Sequence, residues 1–201
     1  GDEGSVAALE WYKSLLDRGL MAPEMDRATA RQLFSQGKVA FYDDAVVAKG
    51  IVTVDTPVEN LADLIVPVPR PVLNAGDEPQ SLLWGHLVVV FDGPNADAAA
   101  QWAQWLTSDL DTTVDYFQQL ALPPTTDAAL QSDVVKNDAY MAAWAEKVTA
   151  TARMNPFWPY VESARMESIL AEGAQAYLLG TEASAATAWQ NAAAQITELM
   201  E

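Results

Sequence analysis

Ten consecutive residues, Leu82–Phe91 (LLWGHLVVVF), carry no formal charge in a chain whose acidic residues outnumber Lys and Arg by 28 to 11. The near-continuous apolar run after Gly85 predicts a strand covered on both faces. Asp92-Gly93-Pro94 then turns the chain. Three weaker β-type runs precede it: Lys38–Tyr42, which stops at Asp43-Asp44, and, in the proline-rich stretch 51–80, Ile51–Val54 and Leu64–Val68, of which Leu64–Val68 is read as one buried strand.

The rest of the pattern is helical. Val6, Leu9, Tyr12 and Leu16 recur at helical spacing, with Gly19 as the stop. Asp26 caps a short helix over 27–36, which Gly37 ends. Asn95 is placed to cap a helix over 96–106, and Ser108 or Asp109 restarts one that reaches Leu120. Leu122-Pro123-Pro124-Thr125-Thr126 breaks the pattern, because each proline holds the residue before it out of the helical region. A short helix from Thr126 or Asp127 and another over 137–151 follow. A long helix over 160–179, closed by Gly180, and a last one opened by Ser184 form an antiparallel hairpin. Trp102, Trp105, Trp144 and Trp189 fall on apolar stripes and are expected in the core, whereas Trp11 lies off its stripe.

Composition removes whole classes of chemistry. Cysteine is absent, so thiol nucleophiles, disulfides and thiolate metal sites are excluded. A multi-histidine metal site is excluded too, since His86 stands alone. The formal net charge of -17 repels phosphate backbones and anionic lipid, which argues against nucleic-acid partners. No apolar stretch is long enough to span a bilayer. The opening, GDEGSVAALEW, reads as the interior of a longer protein rather than as a leader.

Five segments in order carry a resemblance: ALEWYKSLLDRGL, ARQLFSQGKVAFYDD, LLWGHLVVVFDGPNADAAAQWAQWLTSD, ALPPTTDAAL and LLGTEASAATAWQNAAAQITELM. In this order the chain resembles the C-terminal half of extracellular solute-binding proteins of the family 1 type. These are the carbohydrate receptors of ABC importers, maltose-binding protein among them. The resemblance implies an α/β, helix-dominated fold with few strands, the C-terminal portion of a two-lobe periplasmic-binding-protein architecture. On that pattern residues 1–50 belong to the second lobe, 51–81 connect, 82–125 belong to the first lobe and 126–201 return to the second. It also implies an extracytoplasmic location, free or lipid-anchored, and a membrane permease as partner. Neither a cofactor nor a metal is expected.

Three clusters are candidates for holding a solute. Tyr42, Asp43 and Asp44 stand where the resembled pattern has a strand ending in a small-residue turn followed by an aromatic. Two carboxylates replace its usual glycine and tryptophan, and carboxylates accept strongly from sugar hydroxyls. Their plainer role is a helix cap and a solvated turn. Trp84, Gly85 and His86 offer a flat ring, close backbone approach and one imidazole; the alternative is a packing tryptophan and a satisfied core or edge histidine. Phe157, Trp158 and Tyr160, pinned by Pro156 and Pro159, lie in the region that faces the cleft in the resembled family; the alternative is an apolar lid on the following helix. Aromatic faces beside a few hydrogen-bonding groups suit a neutral polyol.

The expected function is therefore a non-catalytic receptor that binds a sugar or oligosaccharide in an interlobe cleft, by stacking and hydrogen bonds. Two other classes compete. A helical protein-interaction module would use exposed tryptophans as anchors and show no sugar affinity. A glycoside hydrolase would need two carboxylates in opposed environments, and nothing in the sequence singles out such a pair.

Overall fold

A computed structural model of the chain describes residues 1–200 of the 201. The chain divides into two compact units. The terminal unit comprises Gly1–Met25, Pro71–Leu82 and Arg153–Glu201, and the central unit Asp26–Arg70 and Leu83–Ala152. Helices dominate both, as expected.

The terminal unit is a three-helix assembly of α1 (Glu3–Asp17), α10 (Ser163–Leu178) and α11 (Ala185–Met200). Asp2 caps α1 by accepting from the Ser5 N–H, and Gly19 leaves the helix at a φ of 68°. That left-handed conformation costs glycine little. Helix α10 starts three residues later than Tyr160. It ends, as expected, before Gly180 at a φ of 80°. Ser184 caps α11 through the Thr187 N–H at 3.0 Å. Met166, Ile169, Ala192 and Ile196 form the core, with Phe157, Tyr160 and Trp189 packed on it. Gly173 lets α10 and α11 approach closely, since a β-carbon there would stand 3.3 Å from the Ala188 carbonyl oxygen.

The central unit is assembled around α6 (Leu110–Leu120), which touches α3 (Ala48–Val52), α5 (Ala96–Ser108), α7 (Asp127–Leu130) and α8 (Asp133–Lys136). Helix α2 (Arg27–Ser35) packs on α3, and α9 (Ala139–Lys147) on α8. A one-turn helix, α4 (Leu61–Leu64), buries Leu61. Caps fall largely where the sequence places them: Asp26 accepts from Thr29 and Asp109 from Thr112. The helix expected over 137–151 is shorter, and its cap, Asp138, which accepts from Met141, was not anticipated. Asn95 occupies its cap position without a side-chain bond. Backbones approach closely at Gly50, where any β-carbon would lie 2.8 Å from the backbone of Leu120.

The β expectations are largely overturned. Among the described residues only two strands of two residues form, β1 (Ser81–Leu82) and β2 (Ala152–Arg153), and they pair with each other. The run Leu83–Phe91 forms no regular element, and it is exposed at every position. Residues 38–42 are irregular. In the stretch 64–68, Leu64 ends α4, and Val66 and Val68 face solvent rather than a core. The β-rich run at Ile51–Val54 begins inside α3. The physical reason is common to all four. A helix satisfies its own backbone, whereas a strand forms only against a neighbour.

Trp102 and Trp105 are likewise corrected: they are 57% and 52% exposed, because α5 packs chiefly along α6 and leaves these rings uncovered. Trp144 and Trp189 are partly buried, and Trp11 is exposed as its position suggested.

Candidate functional site

The nine candidate residues divide between the units. Tyr42, Asp43, Asp44, Trp84, Gly85 and His86 lie in the central unit; Phe157, Trp158 and Tyr160 lie in the terminal unit.

In the central unit two clusters form. Asp44 points inward, its side chain 3% exposed. Its oxygens accept from Arg31 Nε at 2.7 Å and Nη2 at 2.8 Å, and from the Ala45 N–H at 2.7 Å. Burial alone would raise the Asp44 pKa. The fork of Arg31 and the Ala45 amide outweigh it and hold the group below the usual carboxylate range. Tyr42 stacks at a tilt on Phe34, with ring centroids 4.7 Å apart. Its hydroxyl is buried and has no hydrogen-bond partner among the described residues. Burial pushes the Tyr42 pKa far up, and the nearby Asp44 charge adds to that. Tyr140 donates to the Val46 carbonyl at 3.3 Å, and its pKa is pushed up to about 12, first by burial and then by Asp44. Asp43 turns the other way, to an exposed ion pair with Arg70 at 2.6 Å.

Trp84, Gly85 and His86 are all exposed. The Trp84 and His86 rings lie 6.0 Å apart, and the guanidinium of Arg27 sits over the Trp84 ring at 5.4 Å. A β-carbon on Gly85 would meet nothing within 4 Å.

Helix α2 joins the two clusters. Arg27 touches Trp84 and Arg31 holds Asp44, and residues four apart share one helix face. The rise between them is about 6 Å. Neither arginine was singled out from the sequence. The available signal was their spacing on a helix whose cap, Asp26, was already legible. Arg31 also lines a cavity of about 730 Å³ between α2 and the segment from Ile51 to Pro57. None of the nine candidates lines it.

In the terminal unit the segment before α10 is a tight turn, as its prolines predict. The Trp158 N–H donates to the Asn155 carbonyl at 3.3 Å and the Tyr160 N–H to that of Phe157 at 2.9 Å. The Asn155 side chain is buried and satisfied at both ends: Oδ1 accepts from the Phe157 N–H at 2.9 Å, and Nδ2 donates to Glu167. Phe157 and Tyr160 pack on the core, so they carry the packing role. Trp158 is the ring of the three that faces solvent. Asn155 was missed in the sequence; a polar residue beside a helix-breaking proline was its only mark.

No group of acidic or histidine side chains among the described residues could hold a metal ion, and no helix of the structure is long and apolar enough to cross a membrane.

Residues 1–143 match the family of bacterial extracellular solute-binding proteins, and the chain belongs to that family. Its members are non-catalytic receptors that present a solute to an ABC importer, and they work outside the cytoplasmic membrane. No curated protein matches the sequence.

Proposed function

We propose that the solute is a sugar or oligosaccharide, held by ring stacking and hydrogen bonds. One observation supports the reading: the Arg27–Arg31 face of α2 carries an exposed indole with an imidazole beside it at one end and, at the other, the buried Asp44 carboxylate next to Tyr42. Trp84 supplies the flat face for the C–H side of a pyranose, with His86 and the Gly85 backbone beside it. Asp43 keeps an exposed carboxylate for hydroxyl donors. Asp44, committed to Arg31, acts by fixing the guanidinium, which presents its remaining N–H groups. In the terminal unit Trp158 is the ring proposed to stack, mounted by Phe157 and Tyr160. The interlobe cleft of the resembled fold is the proposed setting, with segments 1–50, 51–81, 82–125 and 126–201 distributed between lobes as the resemblance implies.

A calorimetric titration of the chain against a panel of mono- and oligosaccharides tests this. At least one sugar is expected to bind in the micromolar range, about -8 kcal/mol. Trp84→Ala is expected to weaken it about tenfold, as the loss of one stacking contact would. Binding of amino acids or peptides, with no sugar bound, overturns the proposed solute class.

A further inference from the structure

We propose that Asn155 is the positioning residue of the solute site in the terminal unit: its buried amide, fastened to Glu167 of α10, holds the Pro156–Pro159 turn in the one shape that presents Trp158. The inference rests on the reading of Trp158 as a stacking ring.

Three bonds converge on this residue. The Asn155 carbonyl accepts from the Trp158 N–H at 3.3 Å, Oδ1 accepts from the Phe157 N–H at 2.9 Å, and Nδ2 donates to the Glu167 carboxylate. The first two close the turn from inside, the side-chain oxygen standing in for a backbone carbonyl. The third ties that turn to α10. Pro156 and Pro159 remove much of the freedom that is left. Each has a fixed φ and restricts the residue before it, Asn155 in one case and Trp158 in the other. The residues around Trp158 are anchored as well, since Phe157 and Tyr160 pack on the core of Met166, Ile169, Ala192 and Ile196. Every one of these contacts lies inside the terminal unit. A ring mounted on a main chain fixed in advance loses little freedom when a solute stacks on it, and that saving appears as affinity.

Asparagine is the residue type this place needs. One amide supplies an acceptor to the turn and a donor to the carboxylate. Aspartate would keep the acceptor and repel Glu167, and serine would keep an acceptor and lose the reach to α10. Asn155 stands outside the apolar cluster, so changing it is expected to loosen the turn and leave α10 and α11 packed.

The test uses the 201-residue chain labelled with 5-fluorotryptophan and followed by fluorine NMR, with Trp158→Phe identifying the resonance of that ring. Asn155→Asp is expected to shift and broaden this resonance without changing the far-ultraviolet spectrum. Asn155→Asp/Glu167→Gln rebuilds the pair with its polarity reversed and is expected to return the resonance to its wild-type position. Should Asn155→Asp fail to fold, Asn155→Ser takes its place with the same expectation for the ring; failure of both to fold overturns the positioning role in favour of a structural one. A resonance unmoved by the single substitution overturns the proposal, as does a double variant in which the ring is not restored.

A second arm titrates the same chains calorimetrically with the panel of mono- and oligosaccharides. A sugar that binds the wild type is expected to bind Asn155→Asp about fivefold more weakly and the double variant normally, against about tenfold for Trp158→Ala. An affinity that falls in Trp158→Ala and ignores Asn155→Asp overturns the positioning role alone. An affinity that ignores Trp158→Ala overturns the reading of that ring, and the proposal with it. Binding of no sugar overturns the solute class, while the fluorine resonance still decides whether Asn155 sets the ring.

Discussion

The terminal and central units spend their sequence differently. The terminal unit stabilises itself by close helix packing around small residues: Ala185, Ala188 and Ala192 on α11 are buried, and Gly173 admits them. The central unit relies more on polar fixtures, namely the buried Arg31–Asp44 pair and Tyr140 held to the Val46 carbonyl. It also leaves Leu83–Phe91 unpaired, with Trp84 and His86 on that exposed stretch. The lesson is that packing economy and binding capability are separated in this chain. The region packed through small residues offers one exposed candidate ring, and the region with the Arg31–Asp44 pair holds the Tyr42–Asp44 and Trp84–His86 candidates.

Two substitutions break this contrast most sharply. Met166→Ala removes the largest fully buried side chain of the terminal unit and is expected to cost about 3 kcal/mol, independent of pH. Arg31→Ala is expected to cost a similar amount, about 3 kcal/mol at pH 7, because it strands a buried carboxylate. Its cost should shrink toward pH 3. Without Arg31, burial raises the folded-state pKa of Asp44, so protonation at low pH relieves the penalty. Denaturant unfolding of both variants at pH 7 and pH 3 separates the mechanisms; equal pH dependence would erase the distinction between the units.

The unmodified protein gives a second, smaller reading. Asp44 has a lowered folded-state pKa, so its contribution is complete above the unfolded value near 3.8 and is lost as pH falls through the lower folded value. Acid titration followed by amide exchange is expected to open the Tyr42–Tyr140 region of the central unit before α10 and α11. The smallest effect is at Ala121, which ends α6 in the left-handed region at a φ of 53°, where the terminal unit uses Gly19 and Gly180. Ala121→Gly is expected to raise the melting temperature slightly, worth about 0.5–1 kcal/mol.

Legibility in the sequence follows the same division. Asp26, Asp109, Ser184, Gly19, Gly37 and Gly180 announced their helix ends because caps act within one turn of chain. Leu83–Phe91 announced an extended backbone but could not announce its neighbour, since strand pairing is decided by distant residues. The proximity of Trp84 and His86 followed from their spacing. The turning of Asp44 toward Arg31, thirteen residues away, did not, nor did the burial of the Asn155 amide beneath Phe157. Trp102 and Trp105 misled because a regular apolar stripe shows that a helix has a face, not that another element covers it.

Helix α2 is short and stiff, and it carries Arg27 and Arg31 on a single rod. The surface indole and the interior carboxylate are thereby tied to the same nine residues of helix, so the register of this one short element sets both contacts at once.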